Sequence, residues 1–129
     1  MPGYLTSEWL DAAQRAVEAD TTLPEATKDV QLTVQQVVTG GPNGDAAYHV
    51  VIDHGTVRVV DGETSEATVT FMQSWDTAVA IGRGELSAQG AFMTGLIRVR
   101  GDLPKLVEYG SVFGGVDDVF ADLRTQTTY

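Results

Sequence analysis

The 129 residues contain no cysteine, which excludes a disulfide framework, a thiolate zinc site and a thiol nucleophile. Basic residues are scarce. Eight Lys and Arg stand against eighteen Asp and Glu, for a formal net charge of −10, so the average surface repels a phosphate backbone and nucleic acid is not expected as a partner. The same balance argues against an anionic membrane held by charge alone. Only two histidines, His49 and His54, are available for imidazole acid–base chemistry. No stretch approaches the ~20 apolar residues of a membrane span, so stable membrane insertion is not expected. Residues 1–13 carry neither a basic start nor an unbroken apolar run, which leads to the expectation of a cytoplasmic protein. What remains is a chain 43% apolar and 20% charged, suited to a single globular domain over residues 1–129.

Hydrophobic periodicity divides that domain into helices and strands. Over residues 7–19, Trp9, Ala13, Ala16 and Val17 recur at helical spacing behind a Thr6 or Ser7 cap, and Thr21, Thr22 and Pro24 end the run. From Asp29 the period becomes two: Val30, Leu32 and Val34 alternate with Gln31, Thr33 and Gln35, with a bulge expected near residues 36–38. The glycines of residues 40–44 turn this strand into a second over 46–52, Asp53-His54-Gly55 leads to a third over 56–60, and a fourth is expected over 67–71. One face collects Val30, Leu32, Val34, Val50, Ile52, Val57, Val59, Val69 and Phe71; the other collects Gln31, Thr33, Gln35, His49, Arg58, Thr68 and Thr70. Such a sheet is dry on one side only.

Helical spacing then returns. Ser74 caps a helix bearing Trp75, Ala78, Val79 and Ile81; Ser87 caps a second through Thr94; a fifth strand runs over residues 96–100; Asp102 caps a helix whose apolar side is Leu103, Leu106, Val107 and Tyr109. Residues 116–123 supply a last amphipathic segment with Val119 and Phe120. The fold class expected is α+β, a five-stranded, mostly antiparallel sheet with its helices on one face. Bulky, adaptable side chains concentrate where strands and helices alternate: Phe71, Met72, Trp75, Leu86, Phe92, Met93, Tyr109, Phe113 and Phe120.

Residues 80–102, Ala-Ile-Gly-Arg-Gly-Glu-Leu-Ser-Ala-Gln-Gly-Ala-Phe-Met-Thr-Gly-Leu-Ile-Arg-Val-Arg-Gly-Asp, resemble the signature stretch of the sterol carrier protein type 2 family of small non-specific lipid carriers. In that family a Gly and Leu precede a short helix with Ala-Phe, followed by Gly, an alternating strand and Gly-Asn or Gly-Asp. The likeness extends over residues 29–123. It implies strand order 3-2-1-4-5 and an apolar tunnel between sheet and helices for a fatty acid, fatty acyl-CoA or sterol. Carried over by position, Phe71, Trp75, Val79 and Leu86 line the tunnel, Phe92 and Met93 lie on its next helix, Ile97 and Val99 form its floor, and Leu106, Tyr109, Phe113 and Phe120 close it. Arg83 is the one basic residue at a helix end beside the implied tunnel, where it would either meet a head group or stay solvated against the helix dipole. The last residues lack the Ser-Lys-Leu-like peroxisomal ending of many relatives, and Gly114-Gly115 before an acidic segment would make a lid or a plug.

The resemblance implies a carrier that is not an enzyme, without cofactor, and it leaves room for a protein partner or a homodimer. Asp117-Asp118 are adjacent and diverge on a helix, so no metal site is expected. The competing reading is a small α+β cone enzyme, polyketide-cyclase-like or steroid-isomerase-like, with His49 and Asp53 on one strand face, and Arg58 opposite, performing proton transfer.

Overall fold

The structure, a computed structural model, describes residues 3–42, 44–110, 112, 120, 123, 124 and 127, the side chains of 88 and 89 excepted. Helix α1 (Ser7–Ala19) keeps its expected bounds, since Thr6 Oγ1 accepts from the Trp9 amide at 3.2 Å and Trp9, Leu10, Ala13 and Val17 form a buried stripe. Residues 21–24 do more than end it. Leu23, 2% exposed, opens a one-turn helix α2 (Leu23–Ala26). The Asp20 carboxylate organises this turn, accepting from the Thr22 hydroxyl at 2.6 Å, the Thr22 amide at 2.8 Å and the Leu23 amide at 3.0 Å. Those bonds, the Thr22 hydroxyl first, hold its pKa below the usual 3.8.

Five strands follow the expected topology: β1 (Gln31–Gly41), β2 (Gly44–Asp53), β3 (Thr56–Asp61), β4 (Val69–Ser74) and β5 (Ile97–Gly101), in the order β3-β2-β1-β4-β5. Only the central β1–β4 pair is parallel. The β2–β3 turn has His54 at φ 45° and Gly55 at φ 92°, the positive pair that matches the right-handed twist of a tight hairpin. Register sets Leu32 beside Ile52 and Val34 beside Val50, and sets Val50 and Ile52 beside Val59 and Val57. This dry face packs with α1, Leu23, Val112, Phe120 and Leu123 into one core.

The irregularity in β1 lies between Val38 and Gly41, beyond residues 36–38. The inward phase therefore survives Gln36, whose Oε1 accepts from Gln73 Nε2 at 3.1 Å on the neighbouring strand. On the opposite face, the connection from β3 to β4 must cross β2 and β1. Gln35 and His49 hold it there: the Thr64 amide donates to Gln35 Oε1 at 2.6 Å, Gln35 Nε2 donates to Thr70 Oγ1 at 3.3 Å, and His49 Nδ1 donates to the Gly62 carbonyl at 2.9 Å.

Helices α3 (Trp75–Gly82), α4 (Ala88–Met93) and α5 (Leu103–Glu108) begin at the caps read from sequence, where Ser74, Ser87 and Asp102 side chains accept from the Thr77, Gly90 and Lys105 amides. The apolar side expected for α5 is not a buried one, since Leu103 is 49% and Val107 82% exposed. The final segment expected over residues 116–123 lies outside the described residues, except for Phe120 and Leu123.

Strand β3 is a sheet edge, and α1 covers part of it with a side chain: the Val59 amide donates to Gln14 Oε1 at 2.6 Å. Removing that acceptor leaves an edge donor unpaired. Gln14→Leu is therefore expected to lower unfolding stability by about 1 kcal/mol and to speed hydrogen exchange at the Val59 amide, both readable by urea unfolding and NMR.

Candidate functional site

The two halves of the dry face are covered differently. Over β3, β2 and the start of β1, packing is tight and aromatic. The Trp9 ring lies 5.2 Å from Tyr4, 5.6 Å from Tyr48 and 6.3 Å from Phe120, each in an edge-on arrangement, and Trp9 Nε1 donates to Thr127 Oγ1 at 3.0 Å. The described end of the chain thus closes this half.

Over β1, β4 and β5 the floor is Val34, Val38, Val69, Phe71, Ile97 and Val99, placed on one face by the pairs Val34↔Val69, Phe71↔Val99 and Gln73↔Ile97. Val38, Val69 and Ile97 are buried, whereas Phe71 and Val99 are only half-buried. Helix α3 contributes buried Thr77, Ala78 and Val79, and α4 contributes Ala91, 0% exposed. Helix α5 contributes no buried residue. This half of the dry face is thus less completely covered than the closed half.

Of the expected tunnel residues, Val79 and Ile97 are buried, and Phe71, Trp75, Leu86, Val99, Leu106 and Tyr109 are half-buried. Trp75 lies across the boundary of the two halves: its ring is 5.3 Å from Tyr4, and a Cβ on Gly41 would come within 3.0 Å of it. Phe92 and Met93 are 52% and 77% exposed, at the rim of the cover. Phe120 sits in the closed half against Trp9. Phe113 lies outside the described residues.

Sequence patterning gives no notice of Gln36 and Gln73. Both occupy inward positions of the floor and bond to each other, and Gln73 Oε1 is buried without a hydrogen-bond partner. A polar residue in the inward phase of each of two strands is the available signal. A buried carbonyl left unpaired costs about 1–3 kcal/mol, and it can accept up to two hydrogen bonds.

The residues of the competing enzyme reading are not brought together. His49 Nδ1 is engaged by the Gly62 carbonyl, while Asp53 Oδ1 accepts from His54 Nδ1 at 2.6 Å in the exposed turn. Arg58 pairs in register with Val51. A separate open groove of about 510 Å³ runs between α1, α2 and the β3 edge, lined by residues such as Gln14, Leu23, Val57 and Val59. None of the expected tunnel residues lines it.

Comparisons with known proteins agree with this architecture. Among solved structures the chain is similar to the crystal structure of sterol carrier protein 2, with a TM-score of 0.73 and 21% identity over 92% of this chain and 97% of the other. A conserved hypothetical protein from Thermus thermophilus gives a TM-score of 0.73 and 20% identity, covering 95% and 92% of the two chains. Palmitated sterol carrier protein 2-like 2 from Aedes aegypti gives 0.62 and 18%, covering 83% and 94%. A comparison with curated protein sequences finds no match. The sequence itself matches the SCP-2 sterol transfer family over residues 10–114, and with its strand order and capped helices in place the protein belongs to that family.

Proposed function

We propose that this protein binds and carries a hydrophobic molecule, a fatty acid, fatty acyl-CoA or sterol, between the β1–β4–β5 half of the sheet and helices α3 to α5. The observation that carries this reading is the uneven cover of the dry face. Phe71 and Val99 remain half-buried on a floor whose other half is sealed by Trp9, Tyr48 and Phe120. The mechanism is sequestration and release, with no bond made or broken. A sixteen-carbon chain transferred at roughly 0.8 kcal/mol per methylene gains about 12 kcal/mol. Association and ordering cost ~4–15 kcal/mol. The difference supports binding that is reversible. Membership of a sterol transfer family and the palmitated form of a protein with this fold support the same class of ligand.

Titrating delipidated protein with a fluorescent fatty acid tests the reading. Saturable uptake by the wild-type chain is expected. Phe71→Ala should weaken it about tenfold through lost apolar contact, and Phe71→Glu at least about a hundredfold, because a carboxylate on the floor must be desolvated by the guest. Circular dichroism checks that both variants fold. No uptake by the wild-type chain, or wild-type affinity in both variants, overturns the assignment.

A further inference from the structure

Gln36 and Gln73 stand among apolar neighbours on the dry face. Across the strands, Gln36 pairs with Tyr48 and Phe71, and Gln73 pairs with Val38 and Ile97; Tyr48, Val38 and Ile97 are buried. The bond from Gln73 Nε2 to Gln36 Oε1, 3.1 Å long, fixes the orientation of the Gln73 amide. Its other polar atom, Oε1, is buried, and no donor among the described residues reaches it. Gln35, next along β1 and on the opposite face, shows the usual arrangement, with Oε1 accepting from the Thr64 amide at 2.6 Å and Nε2 donating to the Thr70 hydroxyl at 3.3 Å. Buried polar groups are as a rule bonded in this way. Two apolar residues at positions 36 and 73 would leave no carbonyl unmet. The floor therefore bears one directed acceptor in the half of the dry face that is loosely covered.

We infer that Gln73 determines which hydrophobic molecules this protein holds best: its carbonyl accepts a hydrogen bond from the hydroxyl of an uncharged guest, a long-chain alcohol or a sterol, bound with that hydroxyl on the floor. The inference deepens the carrier reading and rests on it. The selection lies in the chemistry of the acceptor. A hydroxyl brings an O–H donor and completes the missing bond. A carboxylate brings only acceptors, and would lose its water to face another carbonyl oxygen. A fatty acid is thus expected to bind with its carboxylate away from Gln73, held by its chain alone, and an acyl-CoA to keep its charged end outside. Gln36 is the positioning residue, since by taking the Nε2 donor it leaves the oxygen of Gln73 for the guest.

Displacement of the fluorescent fatty acid from the delipidated full chain tests it, with dodecanol against dodecyl methyl ether and cholesterol against cholesterol methyl ether. Each ether keeps the oxygen and loses the donor. Comparing the alcohol-to-ether affinity ratio between the wild-type chain and the double variant Gln36→Leu with Gln73→Leu cancels the hydration of the probes themselves. In at least one pair, the wild-type ratio should favour the alcohol about tenfold more than the variant ratio does, and the pair that shifts identifies the linear or the sterol frame. Urea unfolding should leave the double variant as stable as wild type or more so, because replacing both amides strands no polar atom. Gln73→Met, which keeps the length of the side chain and removes the carbonyl, should show the same shift and takes the place of the double variant should two leucines prevent folding. Ratios unchanged in the variants while the probes still bind overturn the hydroxyl site alone. A wild-type ratio shifted toward the ether overturns it as well, since the amide then presents a donor. A wild-type chain that binds neither the fatty acid nor any probe overturns the carrier reading, and the site with it.

Discussion

Gly101→Ala is expected to remove about 3–5 kcal/mol of unfolding stability, read as a lowered urea midpoint. Gly101 ends β5 at φ 108°, a backbone region that side chains rarely occupy. A Cβ there would lie 2.3 Å from the Thr68 carbonyl oxygen, 3.0 Å from Val69 Cα and 3.1 Å from the Thr68 carbonyl carbon. These are backbone atoms and cannot swing aside. The Thr68 carbonyl accepts from the Asp102 amide at 2.9 Å, the Thr68 amide donates to the Thr33 carbonyl at 2.7 Å, and the Thr68 hydroxyl accepts from the Thr33 amide at 3.0 Å. Moving Thr68 therefore disturbs β1, β4 and the cap of α5 together. Gly95→Ala is the control. Gly95 also has positive φ, 82°, but a Cβ there meets nothing within 4 Å, so its expected loss is the backbone term alone, about 1–2 kcal/mol. Equal losses for the two variants would show that contact with Thr68 contributes nothing. With domains of this size stable by about 5–15 kcal/mol, the alanine at Gly101 removes a large part of the whole. The Gly-Asp of the sequence signature thus has a steric reason at its first residue and a capping reason at its second, where Asp102 Oδ1 accepts from the Lys105 amide at 3.2 Å.

Where local chemistry decides an element, the sequence announces it. Thr6, Ser74, Ser87 and Asp102 each accept the capping bond that their position implies, and alternation places the five strands within a few residues. The departures share one cause, which is compensation from a distant residue. Strand β4 runs through Ser74 because Gln73, a polar residue in the inward phase, bonds to Gln36 on β1. Without that partner in view, alternation ends the strand at Phe71 and puts the bulge of β1 too early. Helix α2 escapes a sequence reading because Pro24 and two threonines look like a stop, while the burial of Leu23 depends on the core it meets. For the site, periodicity groups the apolar residues that share a face, but it carries no information on what covers them. The spacing of Leu103 and Val107 reads as a buried side, and both lie open. The division of the dry face into a closed and a loosely covered half is not legible at all, because the closing contact joins Trp9 to Thr127, 118 residues apart.

Trp9→Ala should cost about 3–5 kcal/mol, as expected for emptying an indole-sized space in a close-packed core. Trp9 is 3% exposed and meets Tyr4, Tyr48 and Phe120 while its Nε1 donates to Thr127 Oγ1. Trp9→Phe separates the two contributions. It retains an aromatic ring and loses the hydrogen bond, but the Thr127 hydroxyl still donates to the Leu123 carbonyl at 2.7 Å. No donor is stranded, and the expected loss falls to about 1–2 kcal/mol. The consequence for ligand is equally specific. Trp9 seals the β3–β2 half, whereas the proposed guest lies over β4 and β5. At temperatures where Trp9→Phe is folded, its affinity for the fluorescent fatty acid should stay within about twofold of wild type, because well-separated sites add within a few tenths of a kcal/mol. A large loss of affinity in that variant, with folding intact by circular dichroism, would mean that the aromatic half opens to admit the guest. The sealed core would then be part of the cavity.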